Sequence, residues 1–240
     1  MMSGPLLMRI EREVVEARVV SRPNRFTLVV DVGGRQVPCH LHDPGRLKEL
    51  TKPGLRALVT KPVYRSIRKT LCDVLSIEVG GTWVLVDSRL PNRLFREAVS
   101  QGLVFQGYEI VAEEVWLGRS RIDFLLGRGS EELYVEVKGC NLAIGNVALF
   151  PDAPTRRGAR HVNELLLAMD AGFGAAVVFV ILRPDAAVLR PNSVVDPVFA
   201  DTLCRAHREG LAITAFKAVF NPSEKAVFYG GEVPVEPCVR

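Results

Sequence analysis

The sequence of 240 residues lacks a hydrophobic run that could cross a bilayer, which needs about 18 to 20 apolar residues. Its longest apolar stretch, residues 175–182, has instead the length of a buried β-strand. Residues 1–9 also lack the charged, then apolar, then small-residue order of a secretory signal. We therefore expect a cytoplasmic protein, and the apolar content of 48% with 24% charged residues is that of an ordinary globular chain.

The sequence has few cysteines, and no two of them form a C-x-x-C pair. The five are Cys39, Cys72, Cys140, Cys204 and Cys238. Their scattered spacing predicts neither a zinc site nor a disulfide framework. We interpret Cys140 as a small residue that ends a strand, in preference to a nucleophile.

The net charge is only +4, but it is distributed unevenly along the chain. Residues 1–90 carry 15 lysines and arginines against 9 acidic residues, whereas residues 91–240 carry 16 against 18. A basic half beside a slightly acidic half favours binding of a polyanion by the first and of a metal ion by the second.

Residues 1–88 alternate short β-prone segments with turns, and one short helix is predicted over residues 44–50 with Asp43 as its N-cap. A helix in the middle of about five strands is the layout of an OB-fold, whose loops commonly bind nucleic acid. The sequence therefore predicts an OB-fold-like, nucleic-acid-binding β-barrel as the first of two domains.

Two loops of this half combine basic residues with an aromatic one. The residues predicted to bind nucleic acid there are Arg22 and Arg25 in the first loop, and Lys61, Tyr64, Arg65, Arg68 and Lys69 in the second. Lysine and arginine neutralise phosphates, and an aromatic ring can stack on a base. For Tyr64, packing on the barrel rim is an equal alternative.

Residues 89–240 follow a different pattern, with the order helix, three strands, helix and strand, and then a further helix and strand. This order predicts a mixed α/β domain with helices on both faces of a sheet. Arg156, Arg157 and Arg160 lie at the start of the helix over residues 155–170. They are predicted to contact phosphates, with a solvated helix face as the alternative. We interpret His161 as a packed or capping residue.

The candidate site lies on a hairpin formed by residues 120–126 and 133–138. Folded about its middle, the hairpin places Asp123 opposite Glu136, with Lys138 on the same face and Ile122 and Phe124 on the other. Two carboxylates this close repel each other, and a cation relieves that repulsion.

The chemistry that suits this group is metal-assisted phosphodiester cleavage. Asp123, Glu136 and the backbone carbonyl of Val137 are the predicted ligands of Mg²⁺ or Mn²⁺. Lys138 is predicted to position the attacking water and to offset charge in the transition state. Glu97, on the preceding helix, is the candidate for a further ligand or water anchor.

The order of elements and the aspartate followed by Glu-x-Lys resemble the PD-(D/E)xK nuclease core, with Ile122 in place of the usual proline. A longer resemblance covers most of the chain. The segments HDPGRLKEL (42–50), NRL with EA (92–94 and 97–98), SRIDF (120–124), YVEVK (134–138) and FPDAPTRRGARH (150–161) occur in the order typical of the sugar fermentation stimulation protein A family of prokaryotes.

This resemblance implies a DNA-binding protein linked to the regulation of maltose genes, with an N-terminal OB-fold and a C-terminal restriction-endonuclease-like domain. It also implies Asp123, Glu136 and Lys138 as the metal-binding and catalytic set, with Glu97 as the upstream helix glutamate.

Together the sequence predicts a two-domain protein of the α+β or α/β class. Residues 1–88 form the barrel, and residues 89–240 carry a Mg²⁺- or Mn²⁺-dependent nuclease site that acts on DNA. Three alternatives stay open: RNA as the substrate, a transcriptional regulator whose nuclease core is silent, and a homodimer.

Overall fold

The computed structural model describes residues 4–61 and 70–238. The first strand, β1 (Leu6–Arg9), joins the sheet of the second half of the chain. Six strands of the first half follow it: β2 (Val14–Asn24), β3 (Thr27–Val32), β4 (Arg35–His40), β5 (Arg56–Thr60), β6 (Cys72–Val79) and β7 (Thr82–Leu85). They pair in the order β4-β3-β2-β5-β6-β7, and β4 also pairs with β6. This last pairing closes β2 to β6 into a five-stranded barrel, which confirms the predicted OB-fold-like domain.

The prediction of a helix over residues 44–50 is wrong, because the chain forms turns there and no helix. The Asp43 Oδ1 atom accepts the N–H of Gly45 at 2.8 Å, two residues on, which is the hydrogen bond of a turn. Leu47 has a φ of 44°, a left-handed conformation that a right-handed helix cannot contain.

The cysteine prediction is also wrong, because two disulfides are present, Cys39–Cys72 and Cys204–Cys238. The spacing of 33 and 34 residues offers no local signal for either pair. Cys39 and Cys72 become neighbours only when the barrel closes, since they are direct partners in the β4–β6 pairing. Cys140 is free and buried, as expected of a small residue that ends a strand, and burial raises the pKa of its thiol to about 12.

The second half contains three helices and nine strands among the residues described. These are α1 (Leu90–Ser100), β8 (Glu109–Leu117), β9 (Ser120–Arg128), β10 (Glu131–Cys140), β11 (Ala143–Ile144), β12 (Val147–Phe150), α2 (Arg156–Asp170), β13 (Gly174–Ile181), β14 (Val188–Pro191), α3 (Pro197–Arg208), β15 (Ala212–Asn221) and β16 (Ala226–Glu232). The main sheet has the order β1-β16-β15-β13-β10-β9-β8, and β11, β12 and β14 form a small second sheet.

Helices cover both faces of the main sheet, as predicted. The apolar stripe of α1, which includes Leu94 and Phe95, packs on one face with Phe124. On the other face, Leu165 of α2 and Leu203 of α3 belong to a second core. The strand β13, which is buried along nearly its whole length, lies between these two cores. In the part of the chain that the structure describes, no helix is both long and apolar enough to cross a membrane.

The edge strand β1 comes from the first half of the chain but pairs with β16 of the second. Leu7 and Ile10 are buried there, in the same core as α1. The division into residues 1–88 and 89–240 stays a prediction, and a chain cut at that boundary separates β1 from its sheet.

Candidate active site

The hairpin β9–β10 has the register that the sequence predicts. Val135 lies opposite Phe124, and the same register continues back to Glu131 and Arg128, so the connecting turn is only two residues long. The strand pairing ends at Val135 and Phe124, immediately before the positions of Glu136 and Asp123. Ile122 packs in the core of α2 and Phe124 in that of α1, so the prediction that both share one face is wrong. The change of core occurs where the pairing of β9 with β10 ends.

Asp123 lies where the two strands separate, and its carboxylate takes two hydrogen bonds. Its Oδ2 accepts the backbone N–H of Val137 at 2.8 Å, and its Oδ1 accepts the Nδ2 of Asn92, on α1, at 3.0 Å. Burial raises the pKa of Asp123, and the negative charge of Glu136 raises it further. The two carboxylates are therefore close enough to interact, as predicted. The carbonyl of Val137 stays a predicted ligand.

Glu136 is 2% exposed, and its two carboxylate oxygens have different surroundings. Oε1 accepts a hydrogen bond from the ammonium group of Lys138 and lies 2.5 Å from Nδ1 of His161. Oε2 is buried and has no hydrogen-bond partner among the described residues. Burial alone would raise the pKa of Glu136, but the charge of Lys138 and the hydrogen bonds from His161 and Lys138 outweigh it and lower this pKa.

These surroundings fit a divalent cation. A buried carboxylate oxygen without a donor is costly, and a cation satisfies it. In residues 4–61 and 70–238, no group of three or more His, Cys, Asp or Glu side chains could hold an ion. Asp123 and Glu136 alone would thus provide the side-chain ligands. That number suits Mg²⁺, which usually takes one or two carboxylates and completes its shell with water and phosphate oxygens.

Glu97 is not brought into this group. Its Oε1 accepts the side-chain amide of Gln101 at 2.7 Å, and the same amide donates to the carbonyl of Leu6 at 2.7 Å.

The helix residue that contacts Asp123 is Asn92, to which the sequence reasoning assigned no role. The available signal was its polar side chain directly after Pro91, at the start of an otherwise apolar helix face.

Two of the three arginines predicted on α2 contact residues next to the candidate site. Thr155 caps this helix, since its Oγ1 accepts the N–H of Gly158 at 3.0 Å. Arg157 donates from Nε to Nε2 of His161 at 3.1 Å, and Arg160 donates from Nε to Ser120 Oγ, at the start of β9, at 3.3 Å. Arg156 is exposed in the first turn.

The hydrogen bond from His161 to Glu136 is a second feature that the sequence did not predict, because it depends on how α2 packs on the sheet.

The basic residues predicted in the barrel loops are less available than the sequence suggested. Arg22 donates to the backbone carbonyls of Gly45 at 2.7 Å, of Arg25 at 3.0 Å and of Arg46, so its guanidinium holds the loop. Lys61 pairs with Glu13 at 2.5 Å on the surface. The predicted residues Tyr64, Arg65, Arg68 and Lys69 lie in 62–69, outside the described residues.

Arg25 lies nearer to the candidate site. Its guanidinium is 4.8 Å from the centre of the Phe26 ring. It also lines a cavity of about 390 Å³, which extends between the barrel loop at Asp43 and the segment before α2 and reaches Gly139, the neighbour of Lys138.

Comparisons with known proteins agree with this architecture. Residues 20–86 match the "SfsA N-terminal OB domain", and residues 89–224 match the "Sugar fermentation stimulation protein RE domain". A sugar fermentation stimulation protein homolog of Moorella thermoacetica is 44% identical over 219 residues, which cover 90% of this chain and 94% of the relative. A homolog of Methanothermobacter thermautotrophicus is 42% identical over 212 residues, 88% of each chain.

A solved structure, that of Pyrococcus furiosus SfsA in complex with Ca²⁺, superposes with a TM-score of 0.89 at 28% identity and covers 98% of this chain and 100% of its own. The family models together match both halves of the chain, and the curated relatives extend over nearly its whole length. The chain therefore belongs to the sugar fermentation stimulation protein family.

Proposed function

We propose that this protein binds nucleic acid and hydrolyses its phosphodiester bonds with the help of a divalent cation. The observation that carries the proposal is the buried carboxylate of Glu136, next to Asp123 and the ammonium group of Lys138. One of its oxygens has no hydrogen-bond partner in the described part of the chain. A purely structural cluster would have no reason to keep an unpaired oxygen in the interior.

Each residue of the site has a role that follows from its contacts. Asp123 and Glu136 would hold Mg²⁺ or Mn²⁺, which when bound supplies Lewis-acid activation of the phosphate and of a water. Asn92 and the N–H of Val137 fix the orientation of Asp123. Lys138 would hold the attacking water and offset charge at phosphorus. Arg156, Arg157 and Arg160, together with the N-terminus of α2, would neutralise neighbouring phosphates.

Two further observations support the proposal. The barrel and the basic first half of the chain suit a polyanionic, polymeric substrate. The Pyrococcus furiosus relative was solved in complex with Ca²⁺, which, like Mg²⁺, prefers oxygen ligands. DNA is the proposed substrate, and the cleavage assay described below compares it with RNA.

The rival function is that of a DNA-binding regulator whose nuclease core is silent. Two observations favour it. Lys138 donates directly to Glu136, so that the two charges compensate each other without a cation. Glu97 also lies outside the group. These features are compatible with a core that is retained for its fold.

Cleavage assays with full-length protein separate the two functions. Single- and double-stranded DNA and RNA are incubated with Mg²⁺, with Mn²⁺ and with chelator. We expect metal-dependent cleavage that falls at least about 100-fold in Asp123→Asn and Lys138→Met, since each removes a group acting in the transition state. Nucleic-acid binding without metal should persist in both variants.

The matched control for the lysine is Lys217→Met, a partly buried lysine of β15 in the same sheet, which should cleave like the wild type. Binding without cleavage of any substrate under either metal would refute the enzyme and leave the regulator.

A further inference from the structure

His161 is buried beneath the carboxylates, and its two ring nitrogens have different partners. It lies in the second turn of α2 and is 2% exposed. Nε2 receives a hydrogen bond from Nε of Arg157 at 3.1 Å, and an arginine can only donate. Nε2 is therefore the acceptor and Nδ1 carries the hydrogen, which it donates to Glu136 Oε1 at 2.5 Å. These hydrogen bonds connect Arg157 through His161 to Glu136, and we call them the Arg157–His161–Glu136 link.

The Arg157–His161–Glu136 link fixes the orientation of the Glu136 carboxylate. Oε1 takes both available donors, from His161 and from Lys138, whereas the buried Oε2 takes none from the described residues. Two donors on one oxygen restrict rotation of the carboxylate, so that Oε2 remains presented to a ligand. Residues that orient a metal ligand in this way commonly change metal affinity by about 10- to 100-fold when they are removed.

The outer end of this link, the guanidinium of Arg157, is open to a ligand. Arg157 is exposed in the first turn of α2, and within the described part of the chain only its Nε has a hydrogen-bond partner. Its two terminal nitrogens can therefore take a phosphate oxygen while Nε keeps its bond to His161. A guanidinium suits such a double contact because its donors are arranged as a planar fork.

We propose that His161 is a positioning residue that holds Glu136 for a divalent cation, and that Arg157 connects this residue to a phosphate of the nucleic-acid strand. The inference rests on the proposed function. It assigns to a histidine, interpreted from the sequence as packed or capping, an action on metal binding. A histidine that only fills the core beneath α2 would affect stability and nothing else.

Calorimetric titration of the full-length protein with Mn²⁺, without nucleic acid, tests the role of His161. His161→Asn places an amide N–H where Nδ1 stands, whereas the longer His161→Gln places its amide nearer to Nε2. We expect His161→Gln and His161→Leu to raise the Kd for Mn²⁺ about 10- to 100-fold, and His161→Asn to stay within about threefold of the wild type. The pair Asn and Gln decides the outcome if His161→Leu does not fold.

The control for these variants is His207→Leu, an exposed histidine of α3, which should bind Mn²⁺ like the wild type. Equal Mn²⁺ affinity in the wild type and in all His161 variants overturns the inference and leaves the proposed function intact. Equal loss in the Asn and Gln variants also overturns it, because packing alone then explains the effect. A wild type that binds no Mn²⁺ overturns the proposed function and this inference with it.

The proposed contact between Arg157 and a phosphate has its own test. It measures binding of a fluorescent single-stranded oligonucleotide in the presence of chelator. Arg157→Gln should weaken binding about three- to tenfold and reduce the salt dependence by about one phosphate contact. Arg208→Gln, an exposed arginine in the last turn of α3, is the matched control and should change neither. Equal binding and an equal salt slope in both variants would overturn the phosphate contact.

Discussion

Single residues of the candidate site are arranged at a cost to stability. Burial and the nearby Glu136 raise the pKa of Asp123, so its charged form is disfavoured in the fold. The buried Oε2 of Glu136, which finds no hydrogen-bond donor among residues 4–61 and 70–238, adds a second unfavourable feature. Groups kept in such surroundings are typical of functional sites, where activity and stability oppose each other.

Replacing Asp123 by asparagine should therefore stabilise the metal-free protein. The asparagine side chain would keep an oxygen for the N–H of Val137 but remove the repulsion by Glu136. We expect a gain of about 1 kcal/mol, or about 2–4 °C in Tm, measured by thermal unfolding in chelator. The exposed Asp201→Asn is the control and should leave Tm unchanged. A lower Tm for Asp123→Asn would instead identify Asp123 as part of a stabilising ion cluster.

The sequence predicts site residues well where they lie on one hairpin. Asp123, Glu136 and Lys138 are related by the alternation of strands and by a short turn, both of which are local. Asn92 and His161 could not be assigned, because each reaches the site only through the packing of a helix on the sheet. The packing of α1 also decides where Glu97 lies. The buried side chains of the α1 stripe, such as Leu94 and Phe95, set the rotation of that helix, and Glu97 contacts Gln101.

Elements around the site depend on one another through shared caps. Asp196 caps α3, since its Oδ1 accepts the N–H of Phe199 at 2.9 Å. Its Oδ2 accepts the N–H of Thr155 at 2.7 Å, at the start of α2. One carboxylate thus holds the first turns of two helices, and α2 is the helix that carries Arg157 and His161.

Removing this shared cap should cost more than an ordinary N-cap. Asp196→Ala loses the cap of α3, worth about 1 kcal/mol, and a second charge-assisted hydrogen bond of similar size, so we expect a loss of about 2–3 kcal/mol in the free energy of unfolding. Asp196→Asn can retain the bond to Phe199 and should lose only about half as much. Urea denaturation measures both variants, and an Asp196→Asn variant as stable as the wild type would show that the bond to Thr155 contributes nothing.

Long elements were predictable and short ones were not. The starts of α2 and α3 follow from Thr155, and from Asp196 with Pro197, and from the apolar stripes behind them. The small sheet of β11, β12 and β14 was missed, because strands of two to four residues carry too little alternation. The turn at Asp43 was taken for a helix because its aspartate and proline also suit a helix start.

The whole molecule is held together by chain segments that cross between barrel and sheet. The strand β1 covers the open edge of β16, and its Leu7 and the following Ile10 are buried in the core of α1. A fragment of residues 89–240 therefore exposes a strand edge and apolar surface, which favours aggregation.

We expect this fragment to aggregate, and to become monomeric when residues 4–11 are fused to its N-terminus through a flexible linker. Leu7→Asp in the fused segment is the matched control and should abolish the rescue, because it places a charge in the core. Gel filtration distinguishes the forms. A fragment that is monomeric without the fused segment would show that residues 89–240 are complete as a domain.

A second connection between barrel and sheet depends on the buried carboxylate of Asp73, in β6. Its oxygens lie 3.1 Å from Arg12 Nη1, 3.1 Å from His42 Nε2 and 3.6 Å from Arg89 Nη2. Arg12 precedes β2 and Arg89 precedes α1, so this group binds both segments that pass between the two halves of the chain. Burial alone would raise the pKa of Asp73, but the neighbouring His42, Arg12 and Arg89 outweigh it and lower this pKa to about 2.

Because the pKa of Asp73 is lower in the folded than in the unfolded state, its contribution to stability is complete above about pH 4 and is lost as the pH falls towards about 2. We expect Asp73→Asn to cost about 2 kcal/mol at neutral pH, and this difference from the wild type should shrink steadily over that acid range. Urea denaturation at a series of pH values measures it, with Asp201→Asn expected to follow the wild type. A constant difference between Asp73→Asn and the wild type at every pH would mean that the carboxylate acts through its shape, and that its charge does not connect the barrel to the sheet.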